Sequence, residues 1–283
     1  MVLSFVFIAF LLLGCTQVER DNPYDPDGIN YNPDLVKSSS SVEPTPSSSS
    51  SETLSSSSGA VSSSSYGGLC TGFDPEAQVE HYGKMKKQFC DERDGKKYVY
   101  VTIGEQTWMA ENLNYEASES KCYGDDTGGD SQGNCVKYGR LYYWETAMNN
   151  SASSYAVPSG VRGICPDGWH LPSPAEWNLL ITGVGGDNTA GKKLKSVTGW
   201  NTGSNYKPGT DDYGFSALPG GQQSIHNGSF INAGSIGNWW SSARSSVDEY
   251  TGVVIANLSM NNNRESALWT TSNHLGSVRC VQD

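Results

Sequence analysis

The stretch Cys165-Pro-Asp-Gly-Trp-His-Leu-Pro-Ser-Pro-Ala-Glu-Trp177 carries the clearest local folding signal in the chain. Ser173 and Glu176 form a capping box, in which the serine side chain caps a helix and the glutamate reaches back to the cap. The proline between them fits the first helical turn. The pattern predicts a helix over 174–181 that ends near Gly183. Its buried face would carry Trp177, Leu180 and Ile181.

Apolar periodicity on both sides of this helix predicts the remaining elements. Residues 97–103 alternate in polarity and are rich in Tyr and Val, which predicts a strand with 106–110 as its hairpin partner. Apolar residues three and four apart predict a helix over 139–149, and a shorter helix is expected over 190–197. Later strands are expected over 239–243, 250–258, 266–270 and 276–281. This order predicts an α+β domain, with two main helices packed on antiparallel strands and long loops.

The cysteines indicate an exported, disulfide-stapled domain. The chain has 7 Cys, and setting Cys15 aside leaves an even number. Such a set in an exported protein indicates a disulfide framework, although the sequence allows many pairings. We expect two bonds that close short loops and one that ties the middle of the domain to its last strand. These pairs are Cys70–Cys90, Cys122–Cys135 and Cys165–Cys280. A zinc site is disfavoured, because no CxxC or Cys/His cluster with ligand spacing occurs.

The start of the chain has the pattern of a bacterial lipoprotein signal. Residues 2–13 are apolar apart from Ser4, and Gly14 and Cys15 follow directly. The apolar run is too short for a bilayer core, which needs about 20 residues, and has the length of a signal-peptide core. Because the sequence before Cys15 resembles a lipobox, we expect loss of residues 1–14 and lipidation of Cys15. The alternative is an ordinary cleaved signal peptide with an incidental cysteine.

Three segments are expected to follow the cleavage site. Residues 15–37 would lead from the lipid anchor to a serine-rich tether at 38–65, and a folded domain would occupy 69–283. The tether has too little apolar surface to offset the entropy of ordering, so we expect it to be disordered. Thr16 stands where an Asp would resemble an inner-membrane retention signal, which favours the outer membrane.

Charge and motifs exclude several functions. The net charge is -11 and no Lys/Arg block occurs, so nucleic acid and anionic lipid are poor partners. The chain has no GxSxG, HExxH or P-loop motif, and its histidines are scattered. We therefore assign no catalytic residue, and we interpret His170 as a structural histidine.

Several blocks in the domain combine glycine, tryptophan and charged residues in a distinctive order. They are Asp94-Gly-Lys96, Val101-Thr-Ile-Gly104, Gln106-Thr-Trp-Met-Ala-Glu-Asn-Leu-Asn-Tyr115, Tyr138-Gly-Arg-Leu-Tyr142, 165–177, Gly214-Phe-Ser-Ala-Leu-Pro-Gly-Gly221, Trp239-Trp-Ser-Ser-Ala243 and Ser277-Val-Arg-Cys-Val281. In this order they resemble the Fibrobacter succinogenes major paralogous domain family over 95–283. The family has no assigned biochemistry, so the resemblance implies a fold and a surface location rather than an activity.

A more distant resemblance concerns the fold. The segment 171–177 and the late Val278-Arg279-Cys280 are similar to C-type-lectin-like and formylglycine-generating domains, and the expected Cys165–Cys280 bond fits that fold. The resemblance implies a C-type-lectin-like architecture without the known sites. The enzyme branch needs a reactive cysteine pair near its C-terminus, whereas only Cys280 is there, and the sugar-binding triplets of calcium lectins are missing.

Aromatic residues are the main candidates for ligand contact. The chain has 8 Trp and 15 Tyr, and exposed aromatic faces stack on sugar rings. Trp239 and Trp240 are adjacent in a predicted strand, so their side chains point to opposite faces and one of them is expected to be exposed. The stacking candidates are Trp200, Tyr206, Tyr213, Trp239, Trp240 and Trp269.

One acidic loop is a candidate calcium site. Asp125, Asp126 and Asp130 lie between Cys122 and Cys135, and carboxylate oxygens in a glycine-containing loop can hold calcium. The ligand order does not match an EF-hand, and a solvated loop is the alternative.

These features favour a surface-facing lipoprotein whose domain binds a glycan or another surface protein without catalysis. The protein would contact the membrane through its lipid anchor alone. The ligand of the domain would be a polysaccharide or another surface protein. Two alternatives remain. The domain could be a structural protein of the cell envelope, or a divergent enzyme of the formylglycine-generating type or a hydrolase.

Overall fold

The computed structural model describes most of the chain from residue 68 onward. The described residues are 68–126, 129–203, 207, 209–224, 227–245, 252–259, 265–270 and 274–283, with only the backbone described at 245, 252–259 and 265–270. Cys15 and the expected tether therefore lie outside the described residues. No helix in these ranges has both the length and the apolar character needed to cross a membrane.

Short strands and short helices follow one another along the domain, and the predicted α+β class is confirmed. The strands are β1 Gln78–His81, β2 Lys84–Cys90, β3 Lys97–Ile103, β4 Gln106–Met109, β5 Leu141–Tyr142, β6 Trp169–His170, β7 Gln222–Gln223, β8 Phe230–Ile231, β9 Ile236–Ser245, β10 Gly252–Ser259, β11 Glu265–Thr270, β12 Gly276–Ser277 and β13 Val281–Gln282. The helices are α1 Asn134–Tyr138, α2 Trp144–Met148, α3 Pro174–Gly183 and α4 Asp187–Leu194, and a 3-10 turn spans Gly68–Cys70.

Two main sheets organise these strands. The first is 6-stranded in the order β1-β2-β3-β4-β13-β6, and the second is 5-stranded in the order β11-β10-β9-β12-β5. Most pairs are antiparallel, while β12 pairs with β9 in parallel. The strands β7 and β8 form a separate two-stranded hairpin. The last part of the chain contributes to both main sheets, so it joins them.

The two strongest local signals are confirmed. The predicted hairpin forms from β3 and β4, with Tyr100 opposite Met109 and Ile103 opposite Gln106. The capping box at the start of α3 is complete, because the Ser173 side chain accepts the Glu176 backbone N–H and the Glu176 carboxylate accepts the Ser173 backbone N–H. The predicted core face of α3 is buried at Trp177, Leu180 and Ile181.

The predicted helix over 139–149 is wrong in its first half. Leu141 and Tyr142 form β5, which pairs with β12, and only Trp144–Met148 is helical. Gly139 ends α1 with φ 77, which turns the chain into an extended segment. A short strand and a short helix follow each other here, and both turn apolar residues toward the core. Their apolar residues therefore have the same spacing along the sequence as those of a single amphipathic helix.

The predicted strand over 276–281 is divided between the two sheets. Ser277 lies in β12 of one sheet and Val281 lies in β13 of the other. Between them the chain crosses from one sheet to the other, and its carbonyls at Val278 and Cys280 accept backbone N–H groups from Leu113 and Met109.

The other predicted elements are shifted in their bounds. The shorter helix begins earlier than expected, as α4, and ends at Leu194 because Lys195 is extended and its backbone bridges to Ala217. The strands predicted over 239–243, 250–258 and 266–270 correspond to β9, β10 and β11.

The core lies on both faces of β9. Trp240 belongs to one buried cluster, with Met109, Tyr142 and Trp144, and Trp239 belongs to a second cluster around α3 and α4. The prediction that one of the adjacent tryptophans is exposed is therefore wrong, since their exposed fractions are 1% and 0%. Alternation does place them on opposite faces, but other elements cover both faces.

Three disulfides link distant parts of this core. They pair Cys70 with Cys90, Cys122 with Cys135, and Cys165 with Cys280, which matches the expected pairing. The third bond spans 115 positions of sequence and joins the segment before α3 to the crossing segment between the sheets. In the chain-entropy account a loop of about 100 residues contributes about 4.7 kcal/mol of stability.

His170 connects the capping box to the end of β13. One ring nitrogen lies 2.7 Å from the Glu176 carboxylate and the other lies 2.7 Å from the Asp283 carboxylate. Burial alone would disfavour the charged imidazole, but the hydrogen bonds and charges of the two carboxylates outweigh it and raise the pKa of His170. This geometry suits the interpretation of His170 as a structural residue.

Replacing Asp283 by Asn tests this bridge. The pKa of His170 is raised in the folded state. The stabilisation that its two carboxylate partners provide is therefore fully present below about pH 6.5 and is lost as the pH rises through the raised pKa. Asp283 is largely exposed, so we expect Asp283→Asn to lower the free energy of unfolding by about 0.5 kcal/mol at about pH 5.5 and hardly at all at about pH 9. Urea titrations at both pH values measure the difference.

The control for this variant is Asp167→Asn, which removes an exposed carboxylate that pairs with Arg162 instead of a histidine. Its effect should be small and independent of pH over the same range. An equal loss of stability for Asp283→Asn at the two pH values would contradict the histidine bridge.

Candidate ligand-binding cleft

The structure does not gather the predicted stacking residues into one surface. Trp200 is buried and donates its indole N–H to the Ala217 carbonyl, so it is a core residue, as are Trp239 and Trp240. Tyr213 is exposed by 38%. Tyr206 and the side chain of Trp269 lie outside the described residues. The predictions for Trp200, Trp239 and Trp240 were wrong because aromatic content alone does not distinguish core from surface.

The three candidate calcium ligands have separate partners. The Asp125 carboxylate accepts the N–H and hydroxyl of Ser131, and the Asp130 carboxylate accepts backbone N–H groups at the start of α1. Asp126 lies 3.4 Å from the Lys121 ammonium.

Within the described ranges, the one group of three possible metal ligands is Cys122, Asp130 and Cys135. Its two sulfurs are joined in a disulfide, so they are not available as thiolates. The structure therefore does not assemble the acidic loop into the predicted calcium site.

A cleft of about 250 Å³ lies between the tip of the β1–β2 hairpin, the segment that follows β4, and helix α1. We call it the hairpin cleft. Polar, charged and aromatic side chains surround it. The residues that line it include His81, Tyr82, Lys96, Lys97, Tyr98, Glu111, Asn112, Asn114, Val136, Lys137, Tyr138 and Leu218.

Tyr82 stands at the tip of the hairpin. His81 pairs with Lys84, so Tyr82 and Gly83 form a two-residue turn, and their φ values of 51 and 75 correspond to a type I′ turn. A tyrosine rarely adopts positive φ, where Asn and Gly are favoured, and such conformations concentrate at functional sites. Tyr82 is 37% exposed as a residue, and its ring packs edge-on against the His81 ring at 4.4 Å between centroids. The turn therefore presents an aromatic ring at the mouth of the cleft.

Two lysines of β2 fix the hairpin to the loop at 211–216. Lys84 donates to the Asp212 carbonyl, and the buried Lys86 ammonium donates to the Gly214 carbonyl and the Ser216 hydroxyl at 2.7 and 2.8 Å. Glycine is favoured at position 214, because its φ is 70 and a Cβ would lie 3.2 Å from the Lys86 side chain. Burial lowers the pKa of Lys86 to about 8. These contacts hold the hairpin that carries Tyr82 against the loop at 211–216.

Lys86 also orients the wall of the cleft. Its ammonium lies 2.9 Å from Nδ1 of His81, and a protonated lysine can only donate, so Nδ1 accepts and Nε2 carries the proton. Nε2 lies 3.6 Å from the Glu111 carboxylate, whose other oxygen accepts the Val99 N–H at 2.8 Å. Both polar groups of the wall therefore have fixed orientations.

The floor of the cleft rests on a buried hydrogen-bond network. The Asn112 side-chain oxygen accepts the indole N–H of Trp239 at 2.7 Å and the Nε–H of Arg279 at 3.1 Å. Its amide nitrogen donates to the Tyr138 carbonyl at 2.7 Å. Arg279 donates further to the carbonyls of Phe215 and Ser216 and is fully buried, and burial lowers its pKa to about 9.

The chemistry of the cleft suits binding better than catalysis. Glu111 is the one carboxylate that lines it in the described structure, whereas glycoside hydrolysis commonly uses a pair of facing carboxylates. Ser216 and Lys86 form a contact like that of a serine–lysine dyad, but Ser216 is fully buried and its hydroxyl lies 2.7 Å from the Asp211 carboxylate. We interpret this pair as the anchor of the hairpin.

A second, more open depression of about 520 Å³ lies near Tyr115 and Asn149. There the Arg93 guanidinium lies 3.9 Å over the centre of the Tyr115 ring and forms an ion pair with Asp91. Because an arginine already covers the aromatic face, this depression is the weaker candidate for sugar stacking.

The residues of the hairpin cleft were missed at the sequence level. They come from separate segments around 82, 97, 111 and 137, and no local pattern connects them. The one available signal was Gly83 between two runs that form strands, since glycine is favoured at the second position of type I′ turns.

Comparison with known proteins identifies the domain but not its ligand. The model of the family described as "Fibrobacter succinogenes major domain" matches residues 101–282. No curated protein and no solved structure matches the chain. The matched residues include Glu111, Asn112 and Lys137 of the cleft, while His81 and Tyr82 precede them.

Proposed function

The chain belongs to the Fibrobacter succinogenes major domain family, and from this membership and the hairpin cleft we propose that it is a lipid-anchored surface protein that binds carbohydrate without transforming it. The observation that carries the proposal is Tyr82. Its ring is held at the mouth of a polar cleft, in a backbone conformation that a tyrosine adopts rarely.

The arrangement of groups favours a sugar ligand. The ring C–H groups of a sugar are attracted to the negative face of an aromatic ring, and its hydroxyls need oriented donors and acceptors. Tyr82 offers the aromatic ring, while His81 and Glu111 offer polar groups of fixed orientation. Pockets that hold drug-sized ligands have volumes of roughly 300–1,000 Å³, and the volume of the hairpin cleft is smaller. A cleft of this size suits the end of a glycan chain.

The disulfides weigh against the formylglycine-generating alternative. All six cysteines of the domain are paired, which leaves no thiol for that chemistry. We also propose a C-type-lectin-like architecture, because the Cys165–Cys280 bond ties the segment before a capped helix to the last strands. An experimental structure in which these elements do not superpose on that fold would contradict this part.

The location rests on the amino-terminal sequence. A short apolar run followed by Gly14 and Cys15 supports cleavage before Cys15 and lipidation of its thiol. Two or more acyl chains hold a protein stably on a bilayer, whereas one chain binds marginally. The serine-rich segment at 38–65 would keep the domain clear of the membrane surface. Thr16 after the lipidated residue favours the outer membrane, with the domain facing outward.

Replacing Tyr82 by Asn separates binding from folding. Asn-Gly is the favoured type I′ turn, so Tyr82→Asn should keep or slightly raise the free energy of unfolding. The same change removes the stacking ring, and we expect at least about a tenfold weaker affinity, consistent with aromatic contacts of about 0.5–1.5 kcal/mol plus lost burial. Isothermal titration calorimetry of the full-length protein on oligosaccharides identified from a polysaccharide panel measures it.

The matched control is Tyr213→Asn. Tyr213 is a tyrosine of nearly equal exposure that does not line the cleft. Wild-type affinity for Tyr82→Asn, or an equal loss in both variants, would contradict the proposed site. A wild-type protein that binds no polysaccharide would favour the structural role in the cell envelope, and released sugars would indicate a hydrolase.

Replacing Cys15 by Ser tests the anchor. Mass spectrometry of the membrane-extracted protein should find Cys15 as the first residue, with added acyl mass. The Cys15→Ser variant should no longer be found in the membrane fraction. Thr16→Asp is the matched control, because it should keep the acyl groups and move the protein to the inner membrane. A retained Met1, or an amino-terminal Cys15 without acyl mass, would contradict the proposal.

A further inference from the structure

The charge of the hairpin cleft is opposite to that of the chain. The chain has 30 Asp and Glu against 19 Lys and Arg. Lysines outnumber carboxylates in the cleft, which is lined by Lys96, Lys97 and Lys137 but by one carboxylate, Glu111. A cationic cleft in an acidic protein attracts anionic ligands to that cleft, whereas the rest of the acidic surface repels them.

Two of these lysines are available to a ligand. Lys96 forms an ion pair with Asp94 at 2.7 Å. Among the ion pairs of the described residues, neither Lys97 nor Lys137 takes part. Their ammonium groups instead lie near aromatic rings, at 5.8 Å from the ring centre of Phe73 and 4.6 Å from that of Tyr138.

Two buried cations lie behind the wall and the floor. Lys86 contacts His81 of the wall, and Arg279 contacts Asn112 of the floor. Both have hydrogen-bond partners that are neutral oxygens or nitrogens. Burial lowers the pKa of each, and the carboxylates of Asp211 and Glu111 partly oppose that shift. The charge that a ligand would meet in the cleft therefore comes from Lys97 and Lys137, which line it.

We propose that the hairpin cleft selects a sugar that carries an anionic group, with Lys97 and Lys137 facing the charge and Tyr82 stacking on the ring. This inference rests on the proposed function, since it specifies the ligand of the same site. The anionic group is a uronate carboxylate or a sulfate ester, which present the same charge to the lysines.

The selectivity combines two parts of the chain. Lys137 lies inside the residues matched by the family model, whereas Lys97 and Tyr82 precede them. The hairpin that carries Tyr82 is anchored through Lys84 and Lys86 to the loop at 211–216, which is inside the match. The family domain therefore supplies the floor, and the preceding segment supplies part of the selectivity.

The test uses the full-length protein and three forms of one oligosaccharide. Calorimetry compares an oligogalacturonate, its carboxyl-reduced neutral form, and the same reduced form carrying sulfate esters. We expect the oligogalacturonate or the sulfated form to bind at least about tenfold more tightly than the neutral form, and this preference to shrink as salt screens the charges. The double variant Lys97→Gln/Lys137→Gln should lose the preference while it retains binding of the neutral form.

The matched control is Lys87→Gln/Lys192→Gln, which removes two exposed lysines that do not line the cleft. It should keep the preference. Equal, salt-independent binding of charged and neutral forms would overturn the anionic selectivity but leave the proposed function intact. Absence of binding by every form would overturn the anionic selectivity, and absence of binding across the polysaccharide panel as well would overturn the proposed function. If the uronate or the sulfated form binds most tightly of the three, the result supports the inference and identifies the preferred anionic group.

Discussion

The buried Arg279 guanidinium is the interaction on which the rest of the domain depends. It lies in the segment that crosses between the two sheets, and it donates to the Asn112 side chain and to the carbonyls of Phe215 and Ser216. It also packs 4.2 Å over the Phe215 ring. A buried charge without partners is very costly, so none of these segments can move away while the others stay in place.

This constraint explains why the cleft has fixed walls. Arg279 holds Asn112 and the loop that contains Ser216, and that loop in turn receives Lys86 of the hairpin. Lys86 sets the orientation of His81, next to Tyr82 at the tip. One chain of polar contacts thus runs from the centre of the core to the mouth of the cleft. Preorganised groups bind with less loss of conformational entropy, which is an advantage for a site that recognises ligands without catalysis.

Local signals in the sequence predicted the parts of the fold that local chemistry determines. The capping box at Ser173, the hairpin of β3 and β4, and the α+β class are of this kind. The failures were non-local. Residues 276–281 divide because two different sheets offer partners, and both Trp239 and Trp240 are buried because helices and strands distant in sequence cover both faces of β9.

The candidate site was missed for the same physical reason. Its aromatic ring, its carboxylate and its lysines come from segments around 82, 97, 111 and 137, which only the tertiary fold brings together. Hydrogen–deuterium exchange of the full-length protein, with and without a saturating oligosaccharide, tests the location of the site directly. Ligand should slow exchange at 81–84, 111–114 and 135–139 and leave the open depression near Tyr115 unchanged. Protection confined to other segments, at demonstrated saturation, would contradict a binding site in the hairpin cleft.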